Sequence, residues 1–298
     1  MLGPWRRRAP FAELLAGFPS VEVPWTTKYA SVHADFLVTV FKTAGILARF
    51  AHGRDLPAGF GASLDERVVE YPWALTRCAP GRTLDAGSTL NHSHVLDAFL
   101  PRVGQLSIVT LAPEDISFPE RGVEYQYADL RDLPFPDSSF DMVVSISTLE
   151  HIGMDNRSYG VDVGAAGDPA SETELAVREL MRVLKPEGRM LLTVPYGRRE
   201  DHRWFRQLDE DDLEALRSWF QPARIEVTVF AYSASGWQRS SLNAARQAHY
   251  RDYTQDPSPV EDRAAAARAV ACLDIQRTPA RLGSRGLRLR RPKGHPQG

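Results

Sequence analysis

The sequence predicts an α/β fold in which helices cover both faces of a mainly parallel sheet. Three observations carry that prediction. From Gly81 onward, short apolar runs of strand length alternate with longer segments of helical period. Some of the runs, such as Met142-Val143-Val144, are apolar on consecutive residues, as in strands buried on both faces. Small residues and Gly or Pro punctuate the joins between segments.

The elements follow in order. Residues 1–28 carry Pro and Trp without a period and read as irregular. Val32, Phe36, Val40, Ala44 and Leu47 recur at helical spacing, which predicts one helix over 30–51. Asp35, Thr39, Lys42 and Arg49 fall largely off its stripe, so the helix packs on the core. A lid over a site, or the contact of a homodimer, is the other use of such a surface. Residues 53–61 are rich in Gly and Pro and read as a linker. A helix over 64–78 is expected to break before Pro72. Then come a strand at 82–85, a helix at 95–100, and strands at 106–111, 124–127 and 140–147. A helix over 171–184 opens on Ser171 with Glu174 three residues on, a capping box, and stops at Lys185-Pro186-Glu187-Gly188. A strand at 189–194 precedes a helix at 208–219, whose first turn is loaded with Asp209, Glu210, Asp211 and Asp212 against the positive end of its dipole. A strand at 225–232 follows.

Composition sets outer limits. The chain has 298 residues, 43% hydrophobic and 25% charged, which excludes disordered, collagen-like and coiled-coil classes. The formal charge of −2 hides an asymmetry. Arg6, Arg7 and Arg8 lie in an acid-free start, and Arg281, Arg285, Arg288, Arg290, Arg291 and Lys293 in an acid-free end. Setting these nine aside leaves 27 basic residues against 38 acidic ones between the ends. An acidic body repels polyanions, and the basic end has no aromatics for bases to stack on, so no nucleic acid is expected as partner. Cys78 and Cys272 have no CxxC spacing, which argues against zinc and fits a reducing cytoplasm. The most apolar stretch, 36–50, holds Lys42 and Arg49 and is too short to span a bilayer, so no membrane is expected.

In an open parallel sheet, ligands bind beyond the carboxyl ends of the strands. The first such end reads Thr83-Leu84-Asp85-Ala86-Gly87-Ser88-Thr89-Leu90-Asn91. The lone Gly87 does not make the G-x-G-x-x-G pattern of a pyrophosphate site, which disfavours a nicotinamide-dependent oxidoreductase. A ligand with a carboxylate and an ammonium asks less: backbone N–H groups take the carboxylate and Asp85 the ammonium. A plain structural turn is the alternative. Asp129, in Ala128-Asp129-Leu130, has the chemistry to accept from an exocyclic amine while Leu130 packs on a ring; the alternative is a solvated loop acid. The run from Leu133 through Ser145-Ile146-Ser147-Thr148-Leu149-Glu150-His151-Ile152 ends a buried strand in small polar residues, which leave room for a ligand.

These segments, with Glu179-Leu180-Met181-Arg182-Val183-Leu184-Lys185-Pro186-Glu187-Gly188 after them, resemble the class I S-adenosylmethionine-dependent methyltransferases over about residues 65–235. The stretch SISTLEHIGMDNRSYG at 145–160 is similar to a subgroup seen near polysaccharide and natural-product pathways. The resemblance implies a Rossmann-like, doubly wound, seven-stranded sheet with its last strand antiparallel, and S-adenosyl-L-methionine as methyl donor. It implies cofactor contacts at Asp85, Gly87, Ser88, Asn91, Thr110, Leu111, Asp129, Leu130, Ser145 and Ser147. Thr89 and Asn91 replace the family's second and third glycines, and Thr110 stands where an acid usually binds the ribose; Glu114 and Asp115 lie nearby. His151 and His202 are the candidate proton acceptors, ahead of Asp155 and Tyr196. No metal is expected. Tyr159, Trp204, Phe205, Tyr232 and Trp237 are candidates for an acceptor pocket. The implied organisation is a helical extension at 1–64, the cofactor-binding domain at 65–240, a helical extension at 241–277 and a disordered basic tail at 278–298. The expected reaction is methyl transfer to O or N of a small, sugar-containing metabolite in the cytoplasm. The altered glycines leave open a non-catalytic binding or partner protein of the same fold.

Overall fold

A computed structural model describes residues 23–157 and 167–278. Strand β1 (Arg82–Ala86) pairs in parallel with β2 (Gln105–Thr110) on one side and β4 (Phe140–Ile146) on the other. β3 (Val123–Tyr127) lies outside β2, and β5 (Leu184–Pro195) outside β4, both parallel. β10 (Ala269–Arg277) inserts antiparallel between β5 and β8 (Ala223–Ser233). The sheet order is β3-β2-β1-β4-β5-β10-β8-β9, where β9 (Gly236–Ser240) closes a hairpin on β8, while β6 (Glu200–Asp201) and β7 (Arg206–Gln207) pair in a separate two-stranded sheet. The mainly parallel sheet and the antiparallel last strand are as expected. The count is eight rather than seven because β9 adds an edge: its Trp237 is fully buried and donates from Nε1 to the Leu64 carbonyl at 3.0 Å. Residues 241–277, expected to be helical, hold only α7 (Leu242–Ala245) and supply β10 to the sheet interior. Its first five residues, Ala269 to Leu273, are all apolar and all buried, so they carry no period-2 signal to separate strand from helix.

Period-2 alternation sends successive side chains to opposite faces. Leu106, Ile108, Met142, Val144 and Cys272 share one core with the N-terminal helices. Leu84, Val109, Val143, Leu192 and Leu273 share the other with α5 (Pro169–Val183) and α6 (Glu210–Trp219). The single helix expected over 30–51 is two, α1 (Thr27–Lys42) and α2 (Ala44–Ala51), meeting at 81° across Thr43. The apolar period survives the bend because Val40 and Ile46 both reach the same core. No single described helix is long and apolar enough to cross a membrane. α3 (Arg67–Leu75) runs through Pro72 instead of breaking before it; Val68 to Leu75 are all buried, and that packing holds the turn whose N–H bond proline lacks. α5 is capped by Asp168, which accepts from the Ser171 N–H, with Pro169 in the first turn, so the cap lies three residues ahead of the expected Ser171. Lys185 to Gly188, read as a helix stop, already belong to β5.

The acidic start of α6 is a cap. Asp209 accepts from the Asp212 N–H at 2.9 Å, and Asp212 accepts from the Asp209 N–H at 3.5 Å. Asp209→Ala should lower stability by about 1 kcal/mol in urea unfolding at unchanged m-value. A smaller loss in Asp209→Ala than in Glu214→Ala, further along the same helix, would rule the cap out.

Candidate active site

The strand order reverses beside β1, so the carboxyl ends of β1 and β4 open a crevice between their loops. Each loop is held by one local device. After β1, Asp85 is fully buried and turned inward: its Oδ2 accepts from the Leu90 N–H at 2.8 Å and its Oδ1 from Thr89 Oγ1 at 3.4 Å. Burial pushes this carboxyl up to about 7, against hydrogen bonds that favour its charged form. Gly87 turns at φ +120°, where a Cβ would lie 2.2 Å from Thr148 Oγ1. Ser88 has φ +62°, and its buried Oγ has no hydrogen-bond partner among the described residues. Asn91 ties this loop to the next: Nδ2 donates to Glu114 Oε2 at 2.8 Å and to the Ile116 carbonyl at 2.7 Å, while Oδ1 accepts from Tyr125 Oη at 2.8 Å.

A first cavity of about 300 Å³ follows these strand ends. Gly87, Thr110, Leu111, Leu130 and Ser147 line it, as expected, and so does Glu114. Asp85, Ser88, Asn91, Asp129 and Ser145 are not on its wall. Asp129 is engaged by Arg131, through its backbone N–H at 2.8 Å and its Nε at 3.0 Å, and Arg131 bridges onward to Glu172. Ser145 is buried within β4 and donates to the Ala86 carbonyl at 3.0 Å. These residues shape the loops from behind.

A second cavity of about 470 Å³ opens on the other side of Ser147, lined by α1, α3 and the loop around Trp204. Arg67, Ser147 and His151 line both cavities and form the junction. Ser147 has φ +41°, unusual for a residue with a side chain; its N–H donates to Thr193 Oγ1 at 3.0 Å and its Oγ to Glu70 Oε1 at 2.7 Å. His151 follows in a 3-10 turn, Leu149–His151. Its Nδ1 lies 2.9 Å from the Trp204 carbonyl, and its ring stacks on Trp204 at 5.2 Å. A carbonyl only accepts, so Nδ1 carries the hydrogen and Nε2 the lone pair. Burial lowers this imidazole to about 4, outweighing the carbonyl contact that favours the cation, so it is neutral at neutral pH.

His202 lies elsewhere. Its ring stacks on Phe205 at 4.5 Å, its Nε2 is 3.3 Å from Glu200 Oε2, and it lines a third cavity of about 640 Å³ with Asp155, Trp204 and Tyr250. The two histidines are therefore not brought together on one cavity. Trp204 and Phe205 do line the second cavity. Tyr232 and Trp237 belong to the core beneath the N-terminal helices. Tyr196 is buried with its Oη 3.3 Å from the Leu242 carbonyl. Tyr159 and the tail beyond Thr278 lie outside the described residues.

Several residues on the second cavity carry no motif. Asp65 and Glu66 lead into α3, Arg67 starts it and Glu150 precedes His151, while Glu70, one turn into α3, lies behind the wall. The available signal was Asp65-Glu66-Arg67 and Glu70 set in an otherwise apolar helix, which a surface helix would place outward. Here Glu70 is fully buried.

Residues 102–192 match a methyltransferase domain. That span contains β2, β3, β4 and most of β5, and the crevice lies at their ends. Over that span the chain carries a methyltransferase domain. The chain is 30% identical over 193 residues to YcgJ, an uncharacterized methyltransferase of Bacillus subtilis (strain 168), across 61% of this chain and 63% of that protein. It is 27% identical over 135 residues to the 27-O-demethylrifamycin SV methyltransferase of Amycolatopsis mediterranei (strain S699), across 40% of this chain and 43% of that protein. It thus spans less than two thirds of either relative. Among solved structures, the [4+2]-cyclase SpnF is similar at 18% identity and TM-score 0.47, over 89% of this chain and 99% of that one.

Proposed function

We propose that this methyltransferase transfers a methyl group from S-adenosyl-L-methionine to an O or N of a small-molecule acceptor. The observation that carries the reading is the meeting of two cavities at Arg67, Ser147 and His151, one on the strand ends and one under the N-terminal helices.

The residues present fit the cofactor. Gly87 keeps its backbone open where a Cβ would press on Thr148, on the wall of the same cavity. Leu111 and Leu130 offer an apolar slot for the adenine ring. Glu114, held by Asn91, supplies the carboxylate for the ribose hydroxyls that Thr110 alone does not. Bound there, S-adenosylmethionine supplies an electrophilic methyl on a good leaving group, so the protein's work is alignment and proton removal. Neutral His151, with its Nε2 lone pair at the junction, takes the proton from a hydroxyl acceptor. His202, on the third cavity, is not assigned that role. Residues 23–64 act as the cover of the acceptor side, and the acceptor is a sugar-containing or other natural-product metabolite of the cytoplasm.

Calorimetry with S-adenosylhomocysteine tests the reading. Micromolar binding is expected, with Glu114→Ala weakening it by about tenfold. No heat at high protein concentration would overturn it. Methyl transfer from labelled donor to a panel of hydroxyl and amine acceptors, lost in His151→Ala only for the hydroxyls, checks the proton acceptor.

A further inference from the structure

The second cavity holds more carboxyl groups than cations. Asp65, Glu66 and Glu150 line it and are each at most 7% exposed. Arg67 is the guanidinium among the lining residues, and its Nη1 bonds Glu70 Oε2 at 2.5 Å. Asp65 is answered by His33 Nε2 at 3.0 Å and by Tyr29 Oη at 2.8 Å. Two carboxyls are left without a cationic partner of their own. Glu66 accepts from the Ala267 N–H at 3.3 Å. Glu150 lies on the cavity wall with Oε1 4.0 Å from His151 Nε2, and its Oε2 has no hydrogen-bond partner among the described residues.

A buried carboxyl without a partner is costly, whichever protonation state it adopts. A group made only of N–H donors would satisfy these oxygens, and an ammonium is such a group. Trp25, Tyr29, Trp204 and Tyr250 line the same space, and aromatic faces attract a cation once water is excluded. Among the described residues no three acid, imidazole or thiol groups are gathered as a metal ion requires, so the cation that fits is organic.

We propose that the second cavity selects a small amine, bound as its ammonium between Glu66, Glu150 and the aromatic wall. The inference rests on reading this cavity as the acceptor side, and it narrows the acceptor to an amine-bearing molecule. An acidic acceptor would face three carboxyls and is excluded. A neutral alcohol of the same shape leaves Glu66 and Glu150 without a charged donor.

Three ligands of one shape separate these outcomes: phenethylamine, 2-phenylethanol and phenylacetate. Binding is read by quenching of tryptophan fluorescence and by calorimetry on the full chain, without cofactor. Phenethylamine should bind at least about tenfold more tightly than 2-phenylethanol, and phenylacetate should show no binding up to about 10 mM. Glu150→Gln and Glu66→Gln should each shrink the amine-to-alcohol ratio by about fivefold or more while leaving S-adenosylhomocysteine affinity within about twofold, which also confirms that the variants fold. Equal affinity for amine and alcohol, tighter binding of phenylacetate, no phenethylamine binding at the highest concentration, or a ratio unchanged in both variants overturns the proposal. Should S-adenosylhomocysteine bind while the amine shows no preference, only this inference fails. Should the nucleoside not bind at all, the methyltransferase reading fails, and the three ligands still decide whether the cavity prefers an amine.

Discussion

Gly87→Ala should weaken S-adenosylhomocysteine binding by more than about 100-fold, or about 3 kcal/mol. Two independent costs converge on this position. At φ +120° an L-residue is strained whatever space it has. The added Cβ would also stand 2.2 Å from Thr148 Oγ1, 2.4 Å from its Cγ2 and 2.8 Å from its Cβ. Thr148 and Gly87 both line the first cavity, so relief of the clash comes at the expense of the space proposed for the nucleoside. Adding Thr148→Gly removes the steric part and leaves the backbone part. The double variant should therefore recover some affinity, but not all of it. Calorimetry on the three proteins measures both parts, and wild-type affinity in Gly87→Ala would show that the loop is not part of the site.

Asp85 sets the second large effect, on stability against pH in the unliganded protein. Its carboxyl sits at about 7 in the folded chain and at the ordinary aspartate value of 3.8 when exposed on unfolding. Between those values the folded state keeps a proton that the unfolded state has released, so stability falls as pH rises. Below them both states are protonated; above them the full cost is present. Asp85→Asn cannot titrate and keeps an oxygen to accept the Leu90 N–H. The variant should gain on the wild type by about 3 kcal/mol between about pH 5 and about pH 8, measured by urea unfolding at both. A difference between the two proteins that does not change with pH would sink the assignment. His151 slopes the other way. Lowered to about 4, it stays neutral in the fold while the unfolded chain takes up a proton, so its contribution is lost as pH falls from 6.5 towards 4.

The parts of the site that were legible are those fixed by their place at a strand end. Gly87 turns directly after β1, Leu130 follows β3, and Ser147 and His151 follow β4. Strand-end position alone brings them to one crevice. Asp129 was misjudged for a local reason: Arg131, two residues on, already occupies its carboxylate. Asn91 was assigned to the cofactor loop, and its amide is spent on Glu114, Ile116 and Tyr125. His202 shares a chemistry with His151 and packs on the same Phe205, yet it lines a different cavity, a difference that side-chain type cannot announce.

The amino-acid sequence by itself determined the layering of the fold. Apolar period selects strand or helix, and burial on both faces demands helices on both sides of a parallel sheet. It also determined which loops follow the strand ends that open the crevice. Only the tertiary structure decided what stands opposite them. Ser147 meets Glu70 across 77 positions of sequence. Glu66 meets the backbone of Ala267 across 201. The period that buries α3 says which of its faces turns inward and nothing about what it turns toward. Whether a buried acid there is a structural partner or one wall of a binding site depends on contacts that form only when the chain closes on itself.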